Sequence, residues 1–298
     1  MCGIVGLFLK DPALEPQLGQ LLTDMLVTMT NRGPDSAGIA IFGNDADDIG
    51  KLTVQSDNPA TDFAGVDAEL SKALGVKVTM ISKDTHAVLK MPIGKLDAAR
   101  AALTGLRPNV RVMSGGDVIE IYKEVGLPVD VAKRFNIAKM SGTHGIGHTR
   151  MATESAITTM GAHPFSTGSD QCLVHNGSLS NHNSLRRKLV REGMRFETEN
   201  DTEVAAAYLS WKMKNGSDLG QALNSSLDDL DGFFTFVVGT KDGFGVVRDP
   251  IACKPAVMAE TDQYVAFGSE YRALVGLPGI DNARVWEPEP ATVYFWNH

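Results

Sequence analysis

The sequence predicts an α+β fold in which two β-sheets are covered by helices. Short apolar runs rich in β-branched residues, typical of buried strands, occur at residues 2–8 and 36–42 and recur in the second half of the chain. Amphipathic helical patterns separate the strand clusters, and Asp242-Gly243 indicates a hairpin between two late strands. Such alternation is typical of a layered α+β domain. With 298 residues, 43% of them hydrophobic, the chain is long enough to bury a large core.

The N-terminal elements follow from the spacing of apolar residues. After the first strand, apolar residues recur at three- and four-residue steps from Leu14 to Met29, which predicts a helix with one apolar face. Gly33 and Pro34 end this helix, because both residue types act as helix stops. Residues 36–42 then form the second buried strand.

The segment at about 50–116 has a different character, and we expect it to be an inserted small α+β subdomain. Helices near 65–74 and 96–106 alternate there with strands near 77–82, 87–91 and 110–113. No chemical motif stands out in this segment, so we expect a docking surface. A strand at 118–122 and a helix at 129–135 lead back to the main body.

The second half holds most of the predicted strands. A glycine-spaced strand at 144–150 ends in polar residues, and a strand at 171–175 is closed by the turn pair Asn176-Gly177. Helices follow at 181–192, from the N-cap Asn200 onward, and at 218–230; Glu203 lies three residues after Asn200, as in a capping box. Strands at 233–239, 244–248, 256–259, 264–267 and 293–296 complete the prediction.

Composition excludes several classes of protein. The net charge of -8 argues against nucleic acid as a partner, because phosphate binding needs a basic surface. No apolar run approaches the length of a membrane span, and the N-terminal run is too short for a signal peptide. We therefore expect a cytoplasmic protein without a membrane partner. The three widely spaced cysteines do not indicate a disulfide framework, and Cys172 and Cys253 are expected to be buried small hydrophobes.

Cys2 is a candidate nucleophile. Removal of Met1 would give it a free α-amine beside its thiol, so the nucleophile would carry its own base. An α-amine has an ordinary pKa of about 7.7–8, close to the best value for a general base near neutral pH. A cysteine at position 2 is usually incidental, so this interpretation depends on the rest of the chain.

The other polar motifs each have an ordinary structural explanation. Arg32 and Asp35 could form a surface ion pair, Asn176-Gly177 a simple turn, and Asp201 a favourable charge at a helix N-terminus. In combination and in order, however, the motifs resemble those of the class II glutamine amidotransferases, the N-terminal-nucleophile glutaminases. The matching pieces are Met1-Cys2-Gly3-Ile4, the segments at 32–38 and 147–153, Ala162-His163-Pro164, His175-Asn176-Gly177, Asn200-Asp201-Thr202-Glu203, Arg248-Asp249-Pro250 with Lys254-Pro255, and Ser269-Glu270.

The resemblance implies a four-layer αββα sandwich over residues 2–298, interrupted by the insertion at about 50–116. It also implies roles for individual residues. Cys2 would attack the glutamine side-chain amide, and the oxyanion would be bound by the Asn176 amide and the Gly177 N–H. The substrate carboxylate and ammonium would be bound by Arg150, Thr153 and Asp201, with Arg32 and His148 as supporting residues.

The resemblance implies no metal and no cofactor in this chain. His144, His148, His163 and His175 lie on separate predicted elements without an i, i+4 pair, which also argues against a metal site. One departure from the family pattern is at Ala252-Cys253, where the Arg-Asp-x-x-Gly segment usually has glycine.

The sequence continues for about 30 residues after Ser269-Glu270, and we expect the ammonia-accepting site to lie on another polypeptide. We therefore expect separate synthase-type subunits, on which FMN and an iron–sulfur cluster could reside. Chains of this kind resemble the small subunit of N-methylglutamate synthase and its relative GlxB. Two alternatives stay open: a non-catalytic regulatory or scaffold subunit of such a complex, and a stand-alone hydrolase of another γ-glutamyl amide.

Overall fold

The computed structural model describes residues 2–43, 48–152 and 156–298, which form antiparallel sheets and helices. The strands are β1 (Gly3–Leu9), β2 (Ser36–Phe42), β3 (Ile49–Gln55), β4 (Thr79–Lys83), β5 (His86–Pro92), β6 (Arg111–Gly116), β7 (Ile119–Val125), β8 (His144–Arg150), β9 (Phe165–Gly168), β10 (Gln171–Leu179), β11 (Gly232–Gly239), β12 (Gly243–Arg248), β13 (Val257–Glu260), β14 (Tyr264–Gly268), β15 (Arg284–Trp286) and β16 (Val293–Asn297). The helices are α1 (Leu18–Thr28), α2 (Pro59–Asp62), α3 (Val66–Leu74), α4 (Leu96–Leu106), α5 (Pro128–Arg134), α6 (His182–Arg191), α7 (Asp201–Lys214) and α8 (Leu219–Asp229).

The largest sheet has seven strands in the order β15-β13-β14-β1-β8-β2-β7. Its outer face packs on α1 and α5 through a core that includes Leu22, Leu26 and Phe135. The glycine spacing of β8 has a packing role, since a Cβ at Gly145 would lie 2.7 Å from Leu22 and one at Gly147 would lie 2.9 Å from Leu26. These glycines therefore let α1 approach the sheet closely.

A second sheet has five strands in the order β16-β12-β11-β10-β9. Helices α6, α7 and α8 cover one of its faces through a core that includes Leu189, Tyr208 and Leu223. Its other face packs against the seven-stranded sheet, with Phe42 and Phe244 in the shared core. The described residues contain no helix that is long and apolar enough to cross a bilayer.

A third sheet, β4-β5-β3-β6, lies within residues 49–116. Its strands share a core with α3 and α4, which includes Leu52, Leu70 and Leu103. Lys51 on β3 forms an ion pair with Glu120 on β7 at 3.2 Å, so the third sheet is tied to the seven-stranded one.

Most predicted elements are present, and the helix over residues 96–106 and the late hairpin are confirmed. Three strands, β3, β9 and β15, were not predicted. The first turns of the predicted helix at 14–29 are a 3-10 helix over Pro12–Gln17. Asn200 is the N-cap of α7, as predicted. The prediction of a capping box is wrong, because the Glu203 carboxylate instead accepts from the N–H groups of Glu197 and Thr198.

Candidate active site

The residues before β1, at the end of β8 and at the start of β2 lie at the same end of three neighbouring strands of the seven-stranded sheet. We call this end of the sheet, around Cys2, Ser36 and Arg150, the Cys2 edge. In the register, Gly3 lies opposite Thr149, Ser36 opposite Arg150, and Val5 opposite Gly268. The start of β1 is therefore placed beside the ends of β8 and β14 by antiparallel pairing. Segments that are far apart in sequence converge on Cys2 for this reason.

Cys2 is half-buried, and its neighbours hold both its thiol and its carbonyl. The Met151 N–H donates to Sγ at 3.4 Å. The Cys2 carbonyl accepts from Arg32 Nε at 2.9 Å and from Asn176 Nδ2 at 3.1 Å. The next two residues are also fixed, because Gly3 N donates to Thr149 Oγ1 at 3.2 Å and Ile4 N to Ser269 Oγ at 2.9 Å.

Arg32 and Asp35 do not pair with each other, so the ordinary explanation from sequence is wrong. Arg32 is buried and forms an ion pair with Glu270 at 2.6 Å, and this hydrogen bond holds the pKa of the Glu270 carboxyl below its usual value. Asp35 instead accepts from the Ala152 N–H at 2.8 Å, which fixes the chain just after β8. Both residues therefore hold main-chain groups near Cys2 in place.

Asn176-Gly177 is not a turn, because β10 continues through both residues and pairs with β11 as far as Leu179. Gly177 has a φ of 145°, which favours glycine, and a Cβ there would lie 1.9 Å from the Phe233 carbonyl oxygen. The strand needs glycine at this position for both reasons. Asn176 Nδ2 also lies 3.4 Å from Ser269 Oγ, so its amide faces the Cys2 edge.

The predicted substrate-binding residues have different outcomes. Arg150 is buried; its guanidinium donates to the Ala156 carbonyl at 3.3 Å. Asp201, at the first position of α7, accepts from the Leu179 N–H at 3.0 Å and is therefore beside the end of β10. Thr153 lies outside the described residues.

Three buried histidines lie near this edge: His148, His163 and His175. The His148 and His163 rings have centroids 4.2 Å apart, although they come from separate elements. Burial lowers the pKa of His148 to about 3 and that of His163 well below its ordinary value, so both are neutral near pH 7. Within the described ranges, no group of three His, Cys, Asp or Glu residues is arranged to hold a metal ion.

Several contact residues had no assigned role in the sequence analysis. Glu270 and Ser269 were part of a matched motif, and their contacts to Arg32 and Asn176 give them a positioning role at the edge.

The other cysteines differ: Cys172 is buried as predicted, but Cys253 is exposed, so its prediction was wrong. Cys253 follows Ala252, which has a φ of 51°, the conformation that favours the glycine usual at that position.

The fold of this chain is similar to that of an amidotransferase of known structure. Among solved structures, a glutamine phosphoribosylpyrophosphate amidotransferase from B. subtilis matches with a TM-score of 0.62 and 20% identity. The match covers 99% of this chain and 47% of that one, so this chain spans about half the length of that enzyme. At this identity the likeness concerns the fold alone.

Relatives define the family. The glutamine amidotransferase domain model matches residues 148–276. The Rhizobium meliloti glutamine amidotransferase-like protein GlxB is 70% identical over 100% of this chain and 99% of its own length. A Methanothermobacter thermautotrophicus protein, provisionally named as a glutamine amidotransferase, is 34% identical over 98% of each chain. The chain belongs to the glutamine amidotransferase-like family that includes GlxB.

Proposed function

We propose that this chain cleaves the side-chain amide of glutamine through a thioester on Cys2, once Met1 has been removed. The observation that carries the proposal is the convergence of Arg32, Asn176 and Met151 on Cys2. The thiol sulfur attacks the amide carbon while the α-amine takes its proton, and the amine then returns a proton to the departing ammonia. Water hydrolyses the thioester to glutamate and regenerates the thiol.

The remaining roles that we propose follow the chemistry of each residue. Asn176 Nδ2 and the Gly177 N–H are donors for the oxyanion, and the rigid pairing of β10 with β11 supports their fixed position. Arg150 and Thr153 bind the substrate carboxylate, and Asp201 pairs with its ammonium. Arg32 orders the Cys2 carbonyl, and His148, which contacts His163, is a supporting residue.

We further propose that the two larger sheets and their helices form a four-layer αββα sandwich over residues 2–298. The separate core clusters on the outer face of each sheet, and the shared one between them, support this order. The third sheet, with its own core, supports an insertion at about 50–116.

A partner subunit is the second half of the proposal. The segments that leave the Cys2 edge carry exposed apolar side chains, which support a protein interface there: Val125, Leu127, Ile157 and Tyr271. We propose a cytoplasmic hetero-oligomer of the N-methylglutamate synthase type, in which a glutamate-synthase-like subunit receives the ammonia and carries any FMN or iron–sulfur cluster. The free state of all three cysteines is in keeping with that compartment.

Substitution of the nucleophile tests the catalytic proposal. Glutamine hydrolysis should be lost in Cys2→Ala and retained in Cys253→Ala, which removes an exposed thiol away from the Cys2 contacts. Intact mass should show that Met1 is absent from the active chain, and a glutamine-shaped diazoketone should label Cys2 alone. Equal hydrolysis by the Cys2→Ala variant would refute the thioester.

The alternatives give different results in the same assay. A processed chain that hydrolyses no glutamyl amide, alone or with its co-purified partners, would be a regulatory or scaffold subunit. Faster Cys2-dependent hydrolysis of γ-glutamylmethylamide than of glutamine would favour the stand-alone hydrolase. Mass spectrometry of co-purified proteins would identify the partner subunits.

A further inference from the structure

Lys123 on β7 is buried, and its ammonium is held by main-chain carbonyls. Its Nζ lies 2.8 Å from the Ala162 oxygen and 3.3 Å from the oxygens of Met160 and Pro164. In the described part of the chain, no carboxylate forms an ion pair with it. A buried ammonium without a carboxylate is costly, so this lysine needs an explanation.

The three carbonyls belong to one short segment, residues 160–164, which lies against Arg150. A Cβ at Gly161 would be 3.2 Å from Arg150 Nη1, so the guanidinium packs directly on this segment. The same segment carries His163, whose ring contacts that of His148. Lys123 therefore fixes the surface against which the proposed carboxylate-binding arginine rests.

We propose that Lys123 is a positioning residue for glutamine binding: its three N–H groups hold residues 160–164 against Arg150, and loss of its proton weakens that hold. An ammonium donates three hydrogen bonds, one to each carbonyl. The neutral amine donates only two and turns its lone pair toward the third oxygen, which repels it. This inference rests on the proposed function only in giving Arg150 the substrate carboxylate.

The Lys123 ammonium loses its proton within a pH range in which glutamine binding can be measured. Burial lowers the pKa of Lys123 to about 8 against the raising effect of Glu203 and Glu197, and Arg150 lowers it further. The other titratable groups that feel its charge are His163 and His86, both with strongly lowered pKa values. Lys123 also lines a cavity of about 390 Å³ beside α4 and β6, through which its proton can exchange with solvent.

The test compares Lys123→Met and Lys123→Arg with the wild type between pH 7 and 9.5. At one pH unit above its pKa, about nine-tenths of Lys123 is neutral, so the KM for glutamine should rise roughly tenfold toward the value of Lys123→Met. Lys123→Arg should keep a low KM at high pH, because arginine stays charged. In each enzyme kcat should follow the pH dependence of Cys2 chemistry and be the same for wild type and variants.

The methyl group of Met160, labelled with ¹³C, reports on the segment without any turnover. Its resonance should shift with a midpoint near pH 8 in the wild type and stay constant in Lys123→Met. Lys51→Met is the matched control, because Lys51 is also buried on a strand but contacts Val118 and Glu120; its Met160 titration should be that of the wild type.

The outcomes separate the two proposals. A Met160 resonance with the same pH response in wild type and Lys123→Met would overturn the inference, as would an unchanged ratio of their KM values across the range. A Lys123-dependent Met160 titration in a processed chain that hydrolyses no glutamine, alone or with its co-purified partners, would refute the proposed function. The same result would still support the inference that Lys123 holds residues 160–164.

Discussion

Ala252 shows what a single departure from a family pattern does to the backbone. Its φ of 51° lies in the left-handed region, where a Cβ is unfavourable, and its carbonyl accepts from Arg248 Nη2 at 2.5 Å. The arginine holds the loop in this conformation although the residue is not glycine. Arg248 also donates to the Pro288 carbonyl at 2.7 Å, which fixes the guanidinium that holds the loop.

Ala252→Gly should therefore raise the free energy of unfolding, by about 0.5–1 kcal/mol, because relief of strain exceeds the entropic cost of glycine. Urea denaturation measures the change. Ala283→Gly is the control, since Ala283 has a φ of -73° and its replacement should lower stability. A loss of stability in both variants would contradict the strain at Ala252.

At the scale of elements, β10 is the strand whose interpretation changed most. A dipeptide that usually forms turns is extended here, because pairing with β11 over residues up to Leu179 stabilises the positive φ of Gly177. The strand thereby carries Asn176 to the Cys2 carbonyl instead of ending before it. Tertiary pairing has overridden a local preference.

Gly177→Ala should destabilise the protein more than Gly126→Ala. Both glycines have positive φ, 145° and 127°, but a Cβ at Gly126 meets no atom within 4 Å, whereas at Gly177 it meets the Phe233 oxygen at 1.9 Å. Strain alone should cost Gly126→Ala about 1–3 kcal/mol, and the clash should add to this at Gly177. Equal urea midpoints for the two variants would show that β11 shifts enough to relieve the clash with Phe233.

The whole molecule should lose stability in mild acid because it buries neutral histidines. Burial lowers the pKa values of His86, His144 and His148 to about 3. Between pH 6.5 and 3 the unfolded chain binds more protons at these sites than the folded one, so the free energy of unfolding falls as the pH falls. Each histidine can contribute up to about 1.4 kcal/mol per pH unit.

His144→Gln should reduce this pH dependence by one histidine's share, although it also removes the stacking of His144 on Phe42. Urea unfolding at pH 7, 6, 5 and 4 gives the slope for wild type and variant. Parallel slopes would mean that His144 becomes protonated without unfolding.

The sequence by itself determined which chemical groups are present and most of the elements that carry them. The order of motifs around Cys2, Arg150, Asn176 and Asp201 identifies the family, and apolar periodicity locates strands such as β2 and helices such as α4, because both signals are local.

Only the tertiary structure decided which groups meet. Arg32 pairs with Glu270 and not with nearby Asp35, His148 contacts His163, and the Lys123 ammonium is bound by carbonyls from another segment. These contacts depend on strand register and on packing between sheets, which are set by the whole buried core. No short window of sequence contains both partners, so the positions of the groups around Cys2 are properties of the folded molecule.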